Sequence, residues 1–133
     1  MVRIAAMFSR FLHIESCAQC VPCKRHSDHI TDLLEDIDRG NGSEGHVEEI
    51  LRRCRLVTDG QRCYIPTAAS VLVQSVVRVF VGEIAAHLEG PCPLPRETLL
   101  PKLVDFDGAT GQFGYDRRYA RKRPDWTYDE AIG

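Results

Sequence analysis

Apolar residues recur at helical spacing along the first part of the chain. Residues 1–14 are apolar mainly on one side of a helix, and neither Gly nor Pro interrupts them. In the segment 24–39 the apolar residues fall at i, i+3, i+4 and i+7, namely Ile30, Leu33, Leu34 and Ile37. The pattern predicts a short first helix and an amphipathic second helix.

Two further helices are predicted after the glycine-rich stretch 40–45, which stops the second helix. The third repeats the apolar spacing from Val47 and ends near Val57. The fourth extends from Thr67 to Leu88. This stretch is rich in valine, but its length of about 20 residues is too great for an ordinary strand. We therefore predict an all-α fold, a small four-helix bundle with a cysteine-bearing loop.

The C-terminal part of the chain has a different composition. Prolines cluster just after Gly90 and little periodicity follows, which predicts a helical domain over residues 1–89 and an extended tail over residues 90–133. The tail interleaves basic and aromatic residues: Tyr115, Arg117, Arg118, Tyr119, Arg121, Lys122, Arg123, Trp126 and Tyr128. Because acidic residues punctuate this run and no nucleic-acid motif accompanies it, we expect the tail to dock on a partner protein and not to bind nucleic acid.

Composition and charge exclude few classes of protein. The 133 residues carry a formal net charge of −2, which gives no general attraction to nucleic acid or anionic lipid. The longest apolar stretch, residues 68–80, is interrupted by polar residues and is shorter than the roughly 20 residues of a membrane-spanning helix. The N-terminus does not resemble a secretory signal. We expect a cytoplasmic protein, either free or peripheral to a membrane complex.

The spacing of four of the six cysteines indicates a metal centre. Cys17, Cys20 and Cys23 form a C-x2-C-x2-C run, with which bacterial ferredoxins begin their cluster sites. A cubane cluster needs a fourth thiolate. Cys63 is the candidate, because the loop between the third and fourth helices lies beside the start of the second helix in an antiparallel bundle. This spacing favours a [4Fe-4S] cluster, while a four-cysteine zinc site, disulfides and ordinary buried thiols remain open.

The other possible metal ligands have simpler interpretations. Cys54 lies on the apolar side of the third helix and is expected in the core. Cys92 lies between two prolines and is expected to be a spare thiol. His26 and His29 are spaced three apart on the second helix, but four cysteines already complete the centre, so we expect structural or surface histidines.

Three cationic residues are neighbours of the cysteines in sequence: Lys24, Arg25 and Arg62. A cluster bound by four thiolates is negatively charged, and nearby positive charges make it easier to reduce. We expect these residues, above all Lys24, to raise the reduction potential; the alternative is that they are solvated surface charges.

The segment FLHIESCAQCVPCKRHSDHI resembles the E-S-C-x-x-C-x-P-C-R element of the flavoprotein subunit of respiratory complex I, the NADH:quinone oxidoreductase. It is also similar to the related diaphorase subunits of hydrogenases and formate dehydrogenases. The similarity continues to the segment around Cys63 and into the last helix, covering about residues 8–88. It implies a small helical bundle in which one [4Fe-4S] cluster is bound by Cys17, Cys20, Cys23 and Cys63.

The chain departs from the family pattern at several points. Lys24 replaces an arginine, a glycine expected shortly afterwards is absent, and Ile65-Pro66 stands where the family has Leu-Gly. The glycine-rich NADH and FMN segments of the family precede the matching region and have no counterpart in this chain. We therefore expect no NADH or FMN binding by this chain itself.

The resemblance implies an electron-transfer subunit of a larger oxidoreductase, with no catalytic residue or substrate site of its own. It would pass single electrons between a flavin or cluster on a partner, expected to be a flavoprotein, and a downstream acceptor. One alternative is a zinc module that binds protein or nucleic acid through the basic aromatic tail. Another is a degenerate structural domain that binds no metal.

Overall fold

The computed structural model describes residues 1–92 and 102–116. Its elements are α1 (Val2–Glu15), α2 (Val21–Asp38), α3 (Glu44–Leu56), α4 (Ile65–Val79), α5 (Val81–Glu89), β1 (Lys102–Asp107) and β2 (Gln112–Asp116). The described residues form two units, a helical unit over residues 1–92 and a hairpin unit over residues 102–116. Helices dominate, so the predicted all-α class is confirmed.

Four of the helices close into a ring around one apolar core. α1 packs against α2 and α4, and α3 packs against the same two helices. On α2 the predicted apolar stripe is buried, with Ile30, Leu34 and Ile37 fully inaccessible and Leu33 packed at the edge. Burying each such side chain stabilises the fold by about 1.5–3 kcal/mol. The helical periodicity was therefore sufficient to predict the core-facing side of α2.

Two helices begin directly after cysteines, and both have proline in their first turn. Cys20 is the residue before α2, which contains Pro22, and Cys63 lies two residues before α4, which contains Pro66. Proline is tolerated at this position because the first backbone N–H groups of a helix have no partner within it. The prolines thus define where each cysteine-bearing loop ends and its helix begins.

The prediction of one unbroken fourth helix was wrong. α4 ends at Val79 and α5 begins at Val81, with a 79° bend between them. The buried stripe continues through the break at Val73, Val77 and Ile84, so periodicity did not reveal the bend. The bend allows α5 to pack against α2 as well as α4.

Close contacts hold α5 in this bent position. A Cβ atom on Gly42 would lie 3.0 Å from Leu88 Cδ2, so the turn before α3 and the end of α5 are packed together. Glu83 Oε1 accepts hydrogen bonds from the N-terminal amine and, at 3.1 Å, from the Val2 N–H. Within the described residues no single helix is long and apolar enough to cross a bilayer; only α4 and α5 together, across their bend, reach that length and composition.

The hairpin unit corrects part of the predicted extended tail. β1 and β2 pair antiparallel, with an irregularity between Leu103 and Asp105. The turn is held by Asp107, whose Oδ1 accepts the Ala109 N–H at 2.9 Å. One side of the hairpin is apolar and exposed, and it carries Leu103, Phe106, Phe113 and Tyr115. The rest of the tail after Cys92, including most of the basic aromatic run, lies outside the described residues.

Candidate metal centre

The four predicted ligands lie in two loops and at the starts of the helices that follow them. Cys17 and Cys20 belong to the connection between α1 and α2, and Cys23 lies in the first turn of α2. Cys63 belongs to the connection between α3 and α4. Cys23 is buried, Cys20 is half-buried, and Cys17 and Cys63 are exposed. All six cysteines of the chain are thiols in the structure, so none forms a disulfide.

The buried Cys23 thiol is influenced by the other three cysteines. Burial raises the pKa of Cys23, and the thiols of Cys63, Cys20 and Cys17 raise it further. Interactions between charges weaken with distance. The fold therefore places Cys63, forty residues away in sequence, within electrostatic reach of Cys23. All four predicted ligands thus lie where α2 and α4 begin, and their role as ligands stays a prediction.

This grouping is suited to a positively charged metal centre. Four ionised thiols at short range repel one another, which is the cause of the raised pKa of Cys23 beyond burial. A bound metal centre removes this repulsion, because coordination deprotonates thiols and compensates their charge. The donor set therefore fits an iron-sulfur cluster bound by four thiolates.

A zinc ion and a cubane cluster place different demands on four thiolates. Among residues 1–92 and 102–116, no three His, Cys, Asp or Glu side chains are arranged to hold one metal ion. A zinc ion draws its four thiolates to about 2.3 Å from a single point. In a cubane cluster each thiolate binds a different iron atom, so the sulfur atoms stand further apart. The two alternatives therefore differ in how far apart the four sulfur atoms would stand once the group is bound.

Two helix N-termini add positive potential at the site. The first N–H groups of α2 and α4 lack partners within their helices, and aligned peptide dipoles leave a partial positive charge at each start. Cys20 and Cys63 stand at these two starts, and the Lys24 N–H already binds the Cys20 carbonyl at 3.1 Å. The backbone therefore favours an anionic group at this place.

The first cysteine loop is tied to the end of α1 through one carbonyl. The His13 carbonyl accepts hydrogen bonds from Ser16 Oγ at 2.8 Å and from Lys24 Nζ at 2.9 Å. Ala18, inside the loop, has a φ of 59°, a left-handed backbone conformation that residues other than glycine rarely adopt. The Lys24 ammonium also lowers the pKa of Cys23, opposing burial and the other thiols. Its predicted effect on the reduction potential remains a prediction.

The His13 side chain belongs to a buried polar row between α1 and α2. Its Nδ1 lies 3.0 Å from Ser27 Oγ, and its Nε2 lies 3.3 Å from Asp28 Oδ1 without hydrogen-bond geometry. Ser9 and Thr31 continue the row with hydroxyls 2.8 Å apart. Burial lowers the pKa of His13, Lys24 lowers it further, and Asp28 opposes the shift.

This polar row was not predicted from the sequence. Ser9 and His13 lie four residues apart on the same side of α1 as the buried residue Ala5. Polar residues at core positions need partners when buried. The two polar residues Ser9 and His13 at core positions of α1 were the available clue in the sequence.

The remaining candidates have varied surroundings. Cys54 is buried in the core, as expected, and burial raises its pKa to about 12. Arg25 and Arg62 are exposed, and His29 is exposed while His26 lies against Arg53. Neither histidine belongs to a metal-ion group within the described residues.

A helical bundle with four cysteines at the starts of two helices is the architecture expected of an iron-sulfur domain. Comparison with known families agrees: the family described as the NADH-ubiquinone oxidoreductase-F iron-sulfur binding region matches residues 3–87. The chain belongs to this family, and the matching region is one that binds a [4Fe-4S] cluster.

Individual relatives show the same similarity. Over 89 residues the chain is 29% identical to the NADH-quinone oxidoreductase F 2 subunit of Rhizobium meliloti (strain 1021), covering 67% of this chain and 21% of that protein. The corresponding F protein of Mycobacterium bovis (strain ATCC BAA-935 / AF2122/97) is 29% identical over 101 residues, 74% of this chain and 23% of the relative. The NADP-reducing hydrogenase subunit HndC of Solidesulfovibrio fructosivorans is 26% identical over 113 residues, 84% and 23% respectively. The chain thus spans less than a quarter of the length of these relatives.

Proposed function

We propose that this chain is an electron-transfer domain that binds one [4Fe-4S] cluster through Cys17, Cys20, Cys23 and Cys63. When bound, such a cluster takes up and releases single electrons. The domain would relay them between a flavin or cluster on a partner subunit and a downstream acceptor. The observation that carries the proposal is the position of these four cysteines at the starts of α2 and α4, in a chain that belongs to a [4Fe-4S]-binding family.

The residues around the thiols would hold the group and adjust its charge balance. The His13 carbonyl fixes the loop through Ser16 and Lys24, so the three nearby thiols keep a constant spacing. The Lys24 ammonium and the starts of α2 and α4 would stabilise the more negative, reduced state. The bundle core would exclude water from the buried side, where Cys23 lies. No group in this arrangement needs to move a proton or bind a substrate.

The relatives suggest the setting of this activity. They are named as subunits of quinone oxidoreductases and a hydrogenase, so we propose that the chain works with partner subunits, one of them a flavoprotein. The tail over residues 90–133 would dock on such a partner, and the exposed aromatic side of the hairpin supports this role. We place the complex in the cytoplasm, free or peripheral to a membrane.

The test is metal analysis and spectroscopy of the anaerobically purified chain. We expect about four irons per chain, a brown colour, and an electron paramagnetic resonance signal that develops on reduction with dithionite. Replacing Cys63→Ser should remove or alter that signal. The matched control is Cys92→Ser, which should leave iron content and spectrum unchanged.

Three results would contradict the proposal. Stoichiometric zinc without iron would establish the zinc alternative. An intact cluster spectrum in Cys63→Ser together with its loss in Cys92→Ser would show that the fourth ligand was assigned to the wrong loop. A chain that folds but binds no metal would indicate the degenerate structural domain.

A further inference from the structure

We call the end of the bundle at which α2 and α4 begin the cysteine end. It carries a basic surface on α2 and α3. Arg53 Nη1 lies 3.3 Å from His26 Nδ1, which joins the start of α2 to the end of α3. The pKa of His26 is lowered by burial and then by cationic neighbours on both helices. We define the basic face by these residues: Arg25, His26, His29, Arg52 and Arg53.

The positive charge of this face is only partly neutralised. Arg52 and Arg53 share the carboxylate of Glu49, with nitrogen-to-oxygen distances of 2.6 and 2.7 Å. Two guanidinium groups thus meet one carboxylate. Arg25 is exposed and forms no ion pair within the part of the chain that the structure describes. The half-exposed Asp28, between Arg25 and His29, adds a second carboxylate, so three guanidinium groups stand against two carboxylates and an excess of positive charge remains.

The rest of α2 and α3 has the opposite charge. Beyond His29 and before Glu49 the two helices carry these acidic residues: Asp32, Glu35, Asp36, Asp38, Glu44 and Glu48. The chain as a whole has a net charge of −2. The basic face is therefore a local feature of the cysteine end and not a general property of the surface.

Exposed apolar side chains lie beside the thiols at the same end. Val21, next to Cys20, is 61% exposed, and Tyr64, next to Cys63, is 75% exposed. Large exposed apolar groups at a redox centre, bordered by charges of one sign, suit a small and transient contact with another redox protein. Electron-transfer contacts belong to the smallest class of protein interfaces, and complementary charge directs their formation.

We propose that the basic face, together with Val21 and Tyr64, docks a small acidic electron-transfer protein. This inference rests on the proposed function and adds the docking side and the charge of the partner. In the contact one electron passes from the reduced one-electron centre of the acidic protein to the oxidised cluster of this chain. The partner's centre is thereby oxidised and the cluster reduced; no bond forms or breaks, and no proton is transferred.

A cavity between α2 and α3 borders the basic face. It measures about 210 Å³ and is lined by His29, Asp32, Leu33, Glu49 and Arg53. A partner carboxylate there would meet the carboxylates of Asp32 and Glu49 as well as Arg53, so we place its charge-assisted hydrogen bonds on the exposed Arg25 and Arg52. Charge-assisted hydrogen bonds of this kind are stronger than neutral ones.

The test uses the full chain reconstituted with its cluster and a reduced plant-type [2Fe-2S] ferredoxin as the acidic probe. Stopped-flow spectroscopy measures the second-order rate of electron transfer at about 20 mM and about 500 mM salt, where charges act over roughly 20 and 4 Å. The double variant Arg25→Glu/Arg52→Glu reverses the charge at two positions of the basic face. The matched control Arg39→Glu/Arg78→Glu makes the same change in net charge at the opposite end of α2 and α4.

We expect the charge-reversed variant to transfer electrons about tenfold or more slowly than the native chain at low salt. At high salt the two rates should agree. The control should stay within about twofold of the native rate, and Arg25→Gln/Arg52→Gln should lie between them. Binding of oxidised ferredoxin, followed by surface plasmon resonance, should weaken in the same order. Ferredoxin with amidated carboxylates should lose the dependence on Arg25 and Arg52.

Equal rates for the charge-reversed variant and the control would overturn the proposal. So would binding of a single-stranded RNA oligomer through Arg25 and Arg52 without any effect of these residues on ferredoxin. The binding measurement also separates this proposal from the previous one. A chain that binds no iron but still binds ferredoxin through the basic face would refute the cluster and support the docking surface.

Discussion

Replacing Lys24 by methionine tests whether the first cysteine loop is held by the His13 carbonyl. Lys24 Nζ donates to that carbonyl at 2.9 Å, and the side chain is half-buried. A hydrogen bond from a charged donor contributes about 1.5–3 kcal/mol to stability. Against this, a cation in the first turn of α2 costs about 0.3–1 kcal/mol. Methionine keeps the apolar stem, so we expect a net loss of about 1–2 kcal/mol.

The measurement is urea and thermal unfolding of the metal-free chain under reducing conditions, which separates the fold from any bound cluster. A loss of about 1–2 kcal/mol corresponds to a fall in Tm of about 5 °C for a chain of this size. The matched control is Arg25→Met, one residue further along α2. Arg25 is exposed, so its replacement should change stability by less than about 0.5 kcal/mol.

The outcome also bears on the electrostatics of the thiols. Both variants remove one positive charge near the loop, and Lys24 is the one identified as lowering the pKa of Cys23. We expect the reconstituted Lys24→Met chain to have a lower reduction potential than Arg25→Met. If both variants unfold at the native midpoint, the hydrogen bond to the His13 carbonyl does not hold the loop.

Two further predictions concern stability. Burial lowers the pKa of His13 in the folded chain, so the unfolded chain binds a proton on this histidine more readily. Stability should therefore fall as the pH drops below about 6.5, by at most about 1.4 kcal/mol per pH unit for one proton. His13→Gln should remove that part of the slope in urea unfolding between pH 5 and 8, whereas the exposed His29→Gln should keep it. Gly42→Ala would place a Cβ 2.6 Å from Ile37 Cγ1 and should cost about 1–3 kcal/mol, while Gly45→Ala on α3, where a Cβ would meet only Ser43 Oγ at 3.6 Å, should stabilise by about 0.5–1 kcal/mol. Equal midpoints for the two glycine variants would show that the turn before α3 relaxes freely.

The helices of the ring were predictable because each combines a regular apolar stripe with a clear stop. On α2 the buried residues follow the predicted spacing, and Gly40 ends the helix with a φ of 79°. The grouping of the four cysteines was likewise predictable from their spacing and from the order of the loops. Whether they are the ligands remains a prediction, since the structure shows the loops and helix starts in which they lie and the family shows the cluster.

The bend and the hairpin were not predictable, for different reasons. At Phe80 the buried stripe continues into α5, and the break depends on the contacts of Leu88 and Glu83 with distant parts of the chain. In the hairpin, the irregularity between Leu103 and Asp105 shifts the alternation of apolar residues within a strand of only six. Long-range packing controls the first feature, and a local shift of register hides the second.

The two cysteine loops have a consequence for the unfolded chain. Cys23 and Cys63 are forty residues apart, so a group bound to both would act as a cross-link between the two halves of the bundle. Closing a loop of this length removes about 4 kcal/mol of chain entropy from the unfolded state, on the same reasoning as for a disulfide. The metal-free chain would then be the form that proteases degrade, and cofactor supply would control how much of the protein persists.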